Sequence, residues 1–157
     1  MNRLFPSRLL PCFVRLCSLL AAVALCASAS AQSLATRRLI DDAKKTQVPA
    51  CEAAVKEKAG VPIPVEVDFA SLGDNSTHFL SLKDLLQGVQ DGIGAVTKDS
   101  AGKEAVAAKV KKIVLTRDEK GYGANFKDGV LTLKASFVSN FSSPLAEKIE
   151  KTLEAAL

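Results

Sequence analysis

Two residue types on which enzymes often depend are almost missing. Beyond residue 31 the 157-residue chain has one cysteine, Cys51, and one histidine, His78. A disulfide framework within one mature chain is therefore excluded. A Cys–His dyad has a single composition, and a Ser–His–acid triad has to use the same imidazole. No G-x-S-x-G surrounds any serine. No Gly-Lys-Ser/Thr ending marks a phosphate loop, and no glycine fingerprint lies between a strand and a helix. Gly121, Gly123 and Gly129 fall in turns instead. Asp74, Asn75 and His78 are close in sequence, yet structural zinc asks for four nitrogen- or sulfur-rich ligands and calcium for a longer acidic pattern. They read as a turn. Neither a metal nor a cofactor is expected, and no catalytic residue is assigned.

Acidic residues are missing from the first 31 positions, which carry Arg3, Arg8 and Arg15. The chain's 21 Lys and Arg face 17 Asp and Glu, a formal charge of +4. Most of that surplus sits in those three arginines, so the remainder is close to neutral. Lys103, Lys109, Lys111 and Lys112 form its densest basic cluster, but no aromatics are interleaved with them. A nucleic-acid partner is not expected.

The first 31 residues read as a cleaved secretory signal peptide. A basic start precedes an apolar run over residues 16–25, and Ala29-Ser30-Ala31 supplies the small residues for cleavage before Gln32. The run is about ten residues, whereas a spanning helix needs roughly 20. A transmembrane anchor is thus the weaker reading. Lipidation at Cys26 is weak too, because the residue before it is Leu25. Cys12, Cys17 and Cys26 leave with the signal, and export to the periplasm or beyond a bacterial cell follows. Cys51 could then bridge two copies in an oxidising compartment, leaving monomer or homodimer open.

What remains divides into a polar segment at 32–48, able to form a helix, and a single domain at 49–157. Val48-Pro49 marks the boundary, since the residue before proline avoids the α region. A helix from Pro49 should stop at Gly60. Val65, Val67 and Phe69 alternate with polar residues as a strand does, with Pro62 and Pro64 at its start. After a turn at 72–77, apolar residues from Phe79 to Val96 recur every three or four positions. They predict a helix over 78–96, capped by Ser76 or Thr77. A short helix near 103–110 and a strand at 112–118 come next. Asp128-Gly129 predicts a tight hairpin between strands at 124–126 and 130–137. Ser142 and Pro144 announce a last helix with a stripe of Leu145, Ile149 and Leu153.

These elements predict an α+β fold. A sheet of about four strands, mostly antiparallel, should carry its helices on one face. Gly88, Gly92 and Gly94 interrupt the long helix, and small residues four apart let another backbone approach closely. They are the candidate binding residues. The leading reading is an exported, non-enzymatic binding protein whose partner is an envelope protein or a lipid. The first alternative is an apolar-ligand or lipid carrier, with a cavity between the long helix and the sheet lined by Phe69, Phe79, Phe126 and Phe137. The second is an enzyme using Cys51 or His78. Asn75 and Asn140 each begin a glycosylation sequon, a pattern short enough to arise by chance.

Overall fold

A computed structural model of the chain describes residues 33–137 and 143–157. The expected signal peptide, Ser142 and the Asn140 sequon lie outside these residues. The compact unit they belong to spans Gln32–Leu157.

Helix α1, Leu34–Asp42, begins where the Ser33 side chain accepts the Thr36 N–H. It buries Thr36 and Ile40 and so belongs to the core. It runs through a π-helical turn, Ala43–Gln47, into α2, Val48–Ala59. Val48-Pro49 is therefore no boundary. Pro49 has no N–H, and its ring would crowd the carbonyl four residues back. The wider π turn takes up that conflict, with the Val48 N–H reaching five residues back to the Ala43 carbonyl. Gly60 ends α2 in the left-handed conformation, as expected.

Strand β1, Val65–Val67, is followed by a short helix α3, Phe69–Leu72, that the turn residues did not announce. Asp68 caps it by accepting the Ser71 N–H. Helix α4 covers Ser76–Val96, and its cap is Asn75 rather than Ser76 or Thr77. Helix α5, Ser100–Lys109, precedes β2, Lys112–Arg117; β3 is Gly123–Lys127 and β4 is Val130–Ala135. Asp128 and Gly129 both have positive φ, 54° and 83°, the backbone of a type I′ hairpin turn. Helix α6, Ser143–Glu154, closes the chain with Leu145, Ile149 and Leu153 fully buried.

The four strands run in the order β1-β2-β4-β3. The expectation of a mostly antiparallel sheet is corrected: β1 pairs parallel with β2, β2 pairs parallel with β4, and only β3–β4 is antiparallel. Composition explains the order. Gly123, Ala124 and Asn125 leave β3 poor in branched apolar side chains, so it takes an edge. Leu131 and Leu133 suit β4 to the interior, where it slots between β2 and the edge. The Asp118 N–H, just past β2, already bonds the Ala135 carbonyl at 2.9 Å.

Register aligns Val65, Ile113, Leu131 and Phe126 in one row and Val67, Leu115, Leu133 and Ala124 in the next. These rows face the core. Glu66, Val114, Thr132 and Asn125 form a row on the opposite, more exposed face, where Lys112 meets Glu66 at 2.7 Å. Helices cover one face only. Helix α4 packs against α2 on one side and α6 on the other.

Candidate functional site

Helix α4 decides the surroundings of both candidate catalytic residues. At its start, His78 is buried and its Nδ1 donates to the Leu72 carbonyl at 2.7 Å. That places the proton on Nδ1 and leaves Nε2 to accept from the Asn75 amide at 3.4 Å. Its ring meets Phe137 edge-on with centroids 6.5 Å apart. Cys51, on α2, is fully buried, and its thiol donates to the Leu86 carbonyl at 3.5 Å. Burial raises the thiol pKa to about 11, partly opposed by a hydrogen bond from the Gln90 side chain and reinforced by the Glu52 charge. Leu86 lies eight residues along α4 from His78, about 12 Å of axial rise. The two side chains are engaged separately at different levels of the helix. A buried thiol with a raised pKa is also a poor nucleophile, and it is enclosed where a bridge to a second copy would need it at the surface.

Two of the three glycines of α4 lie inside the molecule, and Gly94 is half-buried. Gly88 and Gly92 are buried. A Cβ on Gly92 would stand 2.7 Å from the Ile149 Cβ, so its bare backbone is what lets α6 approach. Gly94 is covered by the Lys58 side chain, whose Nζ would lie 3.0 Å from a Cβ there. Of the four phenylalanines, Phe79 and Phe137 are packed in the core, while Phe69 and Phe126 are half-buried at its margin.

The remaining candidates are engaged locally. Asp74 accepts from the Ser33 N–H at 3.2 Å and from the Thr36 hydroxyl. The Thr36 and Ser33 bonds hold its carboxyl below the usual range, and they tie α1 to the loop before α4. Asn75 accepts the Thr77 N–H at 3.0 Å as the helix cap. The basic cluster disperses: Lys109 reaches the carbonyl of Leu157, Lys112 pairs with Glu66, and Lys111 lies along Gly129.

One cleft stands apart. Thr46, Gln47, Ala50, Lys83, Leu86, Gln87 and Gln90 line a space of about 220 Å³ where the π turn and α2 meet α4. Gln47 sits at the end of the π turn. Its Nε2 faces the Asp42 carboxylate at 3.4 Å, which fixes the amide orientation, because a flipped amide would set oxygen against oxygen. Its Oε1 is enclosed away from solvent and has no hydrogen-bond partner among the described residues. Leaving such an acceptor unpaired costs about 1–3 kcal/mol. Lys83, at the exposed rim, forms no ion pair with any described residue. Leu86 supplies an apolar floor, and Gln90 connects that floor to Cys51.

Three larger clefts lack this combination; in one of about 310 Å³ beside β1, Lys44 already sits over the Phe69 ring at 5.3 Å. In a space of about 370 Å³ beside Pro49, Pro62 and Pro64, the Glu52 carboxylate already accepts the Val65 N–H at 2.8 Å. In another of about 650 Å³ between α4, α5 and α6, Glu150 faces Lys98 at 3.7 Å and Asp99 caps α5.

Comparison with known protein families, curated proteins and solved structures returns no match. No helix among the described residues is long and apolar enough to cross a membrane. Gln47 and Lys83 escaped the sequence reading. The one signal for Gln47 was Pro49, which a continuing helix tolerates only with a local irregularity just before it.

Proposed function

We propose that this chain is an exported, non-enzymatic binding protein whose ligand occupies the cleft between the π turn and α4. The observation that carries the reading is the cleft itself, floored by Leu86 and rimmed by Lys83, which forms no ion pair with any described residue. The π turn supports it as well, since such turns recur at functional sites and persist despite their poorer geometry. Separation of the two reactive side chains, each engaged in its own buried hydrogen bond, favours binding over catalysis. Export rests on the basic start, apolar run and Ala-Ser-Ala sequence of the first 31 residues.

Native mass spectrometry of the protein purified from its own host tests the proposal. A small molecule should accompany the wild-type chain and be lost from Gln47→Met. A wild-type protein that carries no adduct at all, or an adduct unaffected by Gln47→Met, would overturn the cleft as the site.

A further inference from the structure

We infer that the groove between β1 and α2 takes an extended segment of another polypeptide, which adds to the sheet as a further strand beside β1. This site goes beyond the cleft above and shares no lining residue with it. In a parallel pair, successive residues of a strand bond to opposite sides. The Ile113 N–H donates to the Pro64 carbonyl and the Asp68 N–H to the Leu115 carbonyl, each at 2.9 Å. Pro64, Glu66 and Asp68 therefore face β2, and Val65 and Val67 turn their N–H and C=O groups to the open edge. The Val65 N–H is taken by the Glu52 carboxylate of α2 at 2.8 Å. The Val65 carbonyl and both Val67 groups have no partner among the described residues. Glu52 thus stands where the carbonyl of an incoming strand would. Pro64 faces β2, so its missing N–H takes no donor from this edge.

Native edges are usually blunted or covered. Helix α2 stands beside this one but leaves two spaces along it, about 310 Å³ at β1 and about 370 Å³ at residues 62–64. Lys44, Val48, Glu52 and Lys56 form the helical wall, four residues apart. That wall is about 18 Å long by helical rise, the span of about six or seven residues of extended chain. Val48, Ala53 and Phe69 offer apolar surface to alternate side chains of such a strand. Charge narrows the partner. Glu52 is held by the Val65 N–H and Glu66 by Lys112, whereas neither Lys44 nor Lys56 pairs with an acidic side chain of the described residues. An apolar segment with an acidic residue at each end complements these two lysines. Main-chain bonds supply the affinity of such an added strand, and alternate side chains supply the choice of partner.

The test uses the protein from its host and the capped peptide acetyl-Glu-Thr-Val-Thr-Val-Thr-Glu-amide, whose glutamates and valines share one face. Calorimetry should show binding at millimolar concentration or below. Exchange of the Val67 amide, followed by NMR, should slow about tenfold or more on saturation. An amide already protected without peptide, or unaffected by it, would overturn the site. Two isomers N-methylated at alternate residues, one on the valines and one on two of the threonines, separate backbone pairing from apolar contact. One should lose binding and the other keep it, since an extended chain turns alternate N–H groups to opposite edges. Loss from both, or from neither, would overturn the added strand. Glu52→Ala frees the Val65 N–H and should tighten binding about threefold or more. Unchanged or weaker binding would contradict Glu52 as the stand-in. Lysine in place of both peptide glutamates should weaken binding about tenfold, and equal binding would overturn the acidic preference. Silence of the first peptide overturns the groove whether or not a small molecule accompanies the native protein, so this reading and the cleft fail separately.

Discussion

The start and the middle of helix α4 border buried polar side chains in opposite states. At the start, His78 has a partner on each ring nitrogen and an aromatic edge against Phe137. Further along, α4 forms one wall of a cleft in which Gln47 keeps a buried oxygen unpaired. The first corner is complete within the chain, and its polar atoms hold α3 to α4. The second leaves that acceptor unsatisfied among the described residues. A buried polar group therefore signals a site by what remains unsatisfied around it, not by its chemical type. The histidine, the more reactive group, is fully engaged within the scaffold.

Truncation should separate the corners by sign. His78→Ala removes the donor to the buried Leu72 carbonyl and opens space beside Phe137. It should lower the unfolding free energy by about 2–4 kcal/mol in urea titration. A loss below the measurement error would mean that this corner is not structural. Gly92→Ala should cost about 1–3 kcal/mol in the same assay, because its methyl cannot fit beside Ile149 without moving α6. Neutral behaviour there would show that the two helices part easily and that the glycine is not needed for packing.

The thiol beneath the cleft gives a pH-dependent term. Its pKa is about 9 in the unfolded chain and about 11 in the fold, so between those values the unfolded state binds fewer protons. Stability contributed by the neutral buried thiol is complete below pH 9 and declines as pH rises towards 11. The total loss is about 2–3 kcal/mol. Cys51→Ala should remove this part of the alkaline decline, measured as the difference between the two proteins' urea midpoints across that interval. Parallel curves for the two would contradict the burial of the thiol. The smallest expected change has the opposite sign: Gln47→Met should raise stability by about 1 kcal/mol.

Features whose cause is local are legible in the sequence. Leu145, Ile149 and Leu153 recur at helical spacing and are fully buried, and Asp128-Gly129 turns the hairpin as that pair should. The apolar stripe beginning at Phe79 marked α4 to within two residues. What escaped depends on partners distant in the chain. Insertion of β4 between β2 and β3 makes the central β2–β4 pairing parallel, and nothing in residues 112–135 alone requires it. The three glycines looked like a surface from their spacing, yet Gly92 faces Ile149, 57 positions later. Gln47 was hidden for a different reason. A π turn adds one residue to the helical register, which turns side chains away from the positions that a regular period assigns them. A polar stretch at 32–48 therefore read as a segment apart from the domain, although Thr36, Ile40 and Ala43 lie in the core.

The most direct measurement is the unfolding free energy of Gln47→Met against wild type, without ligand. If the Gln47 oxygen is held unpaired for a ligand, replacing it with a methionine of similar length removes a buried, unsatisfied acceptor. The variant should then be more stable than wild type by about 1 kcal/mol. A variant less stable than wild type would show that the oxygen already has a partner within the fold, and would contradict the cleft as a binding site.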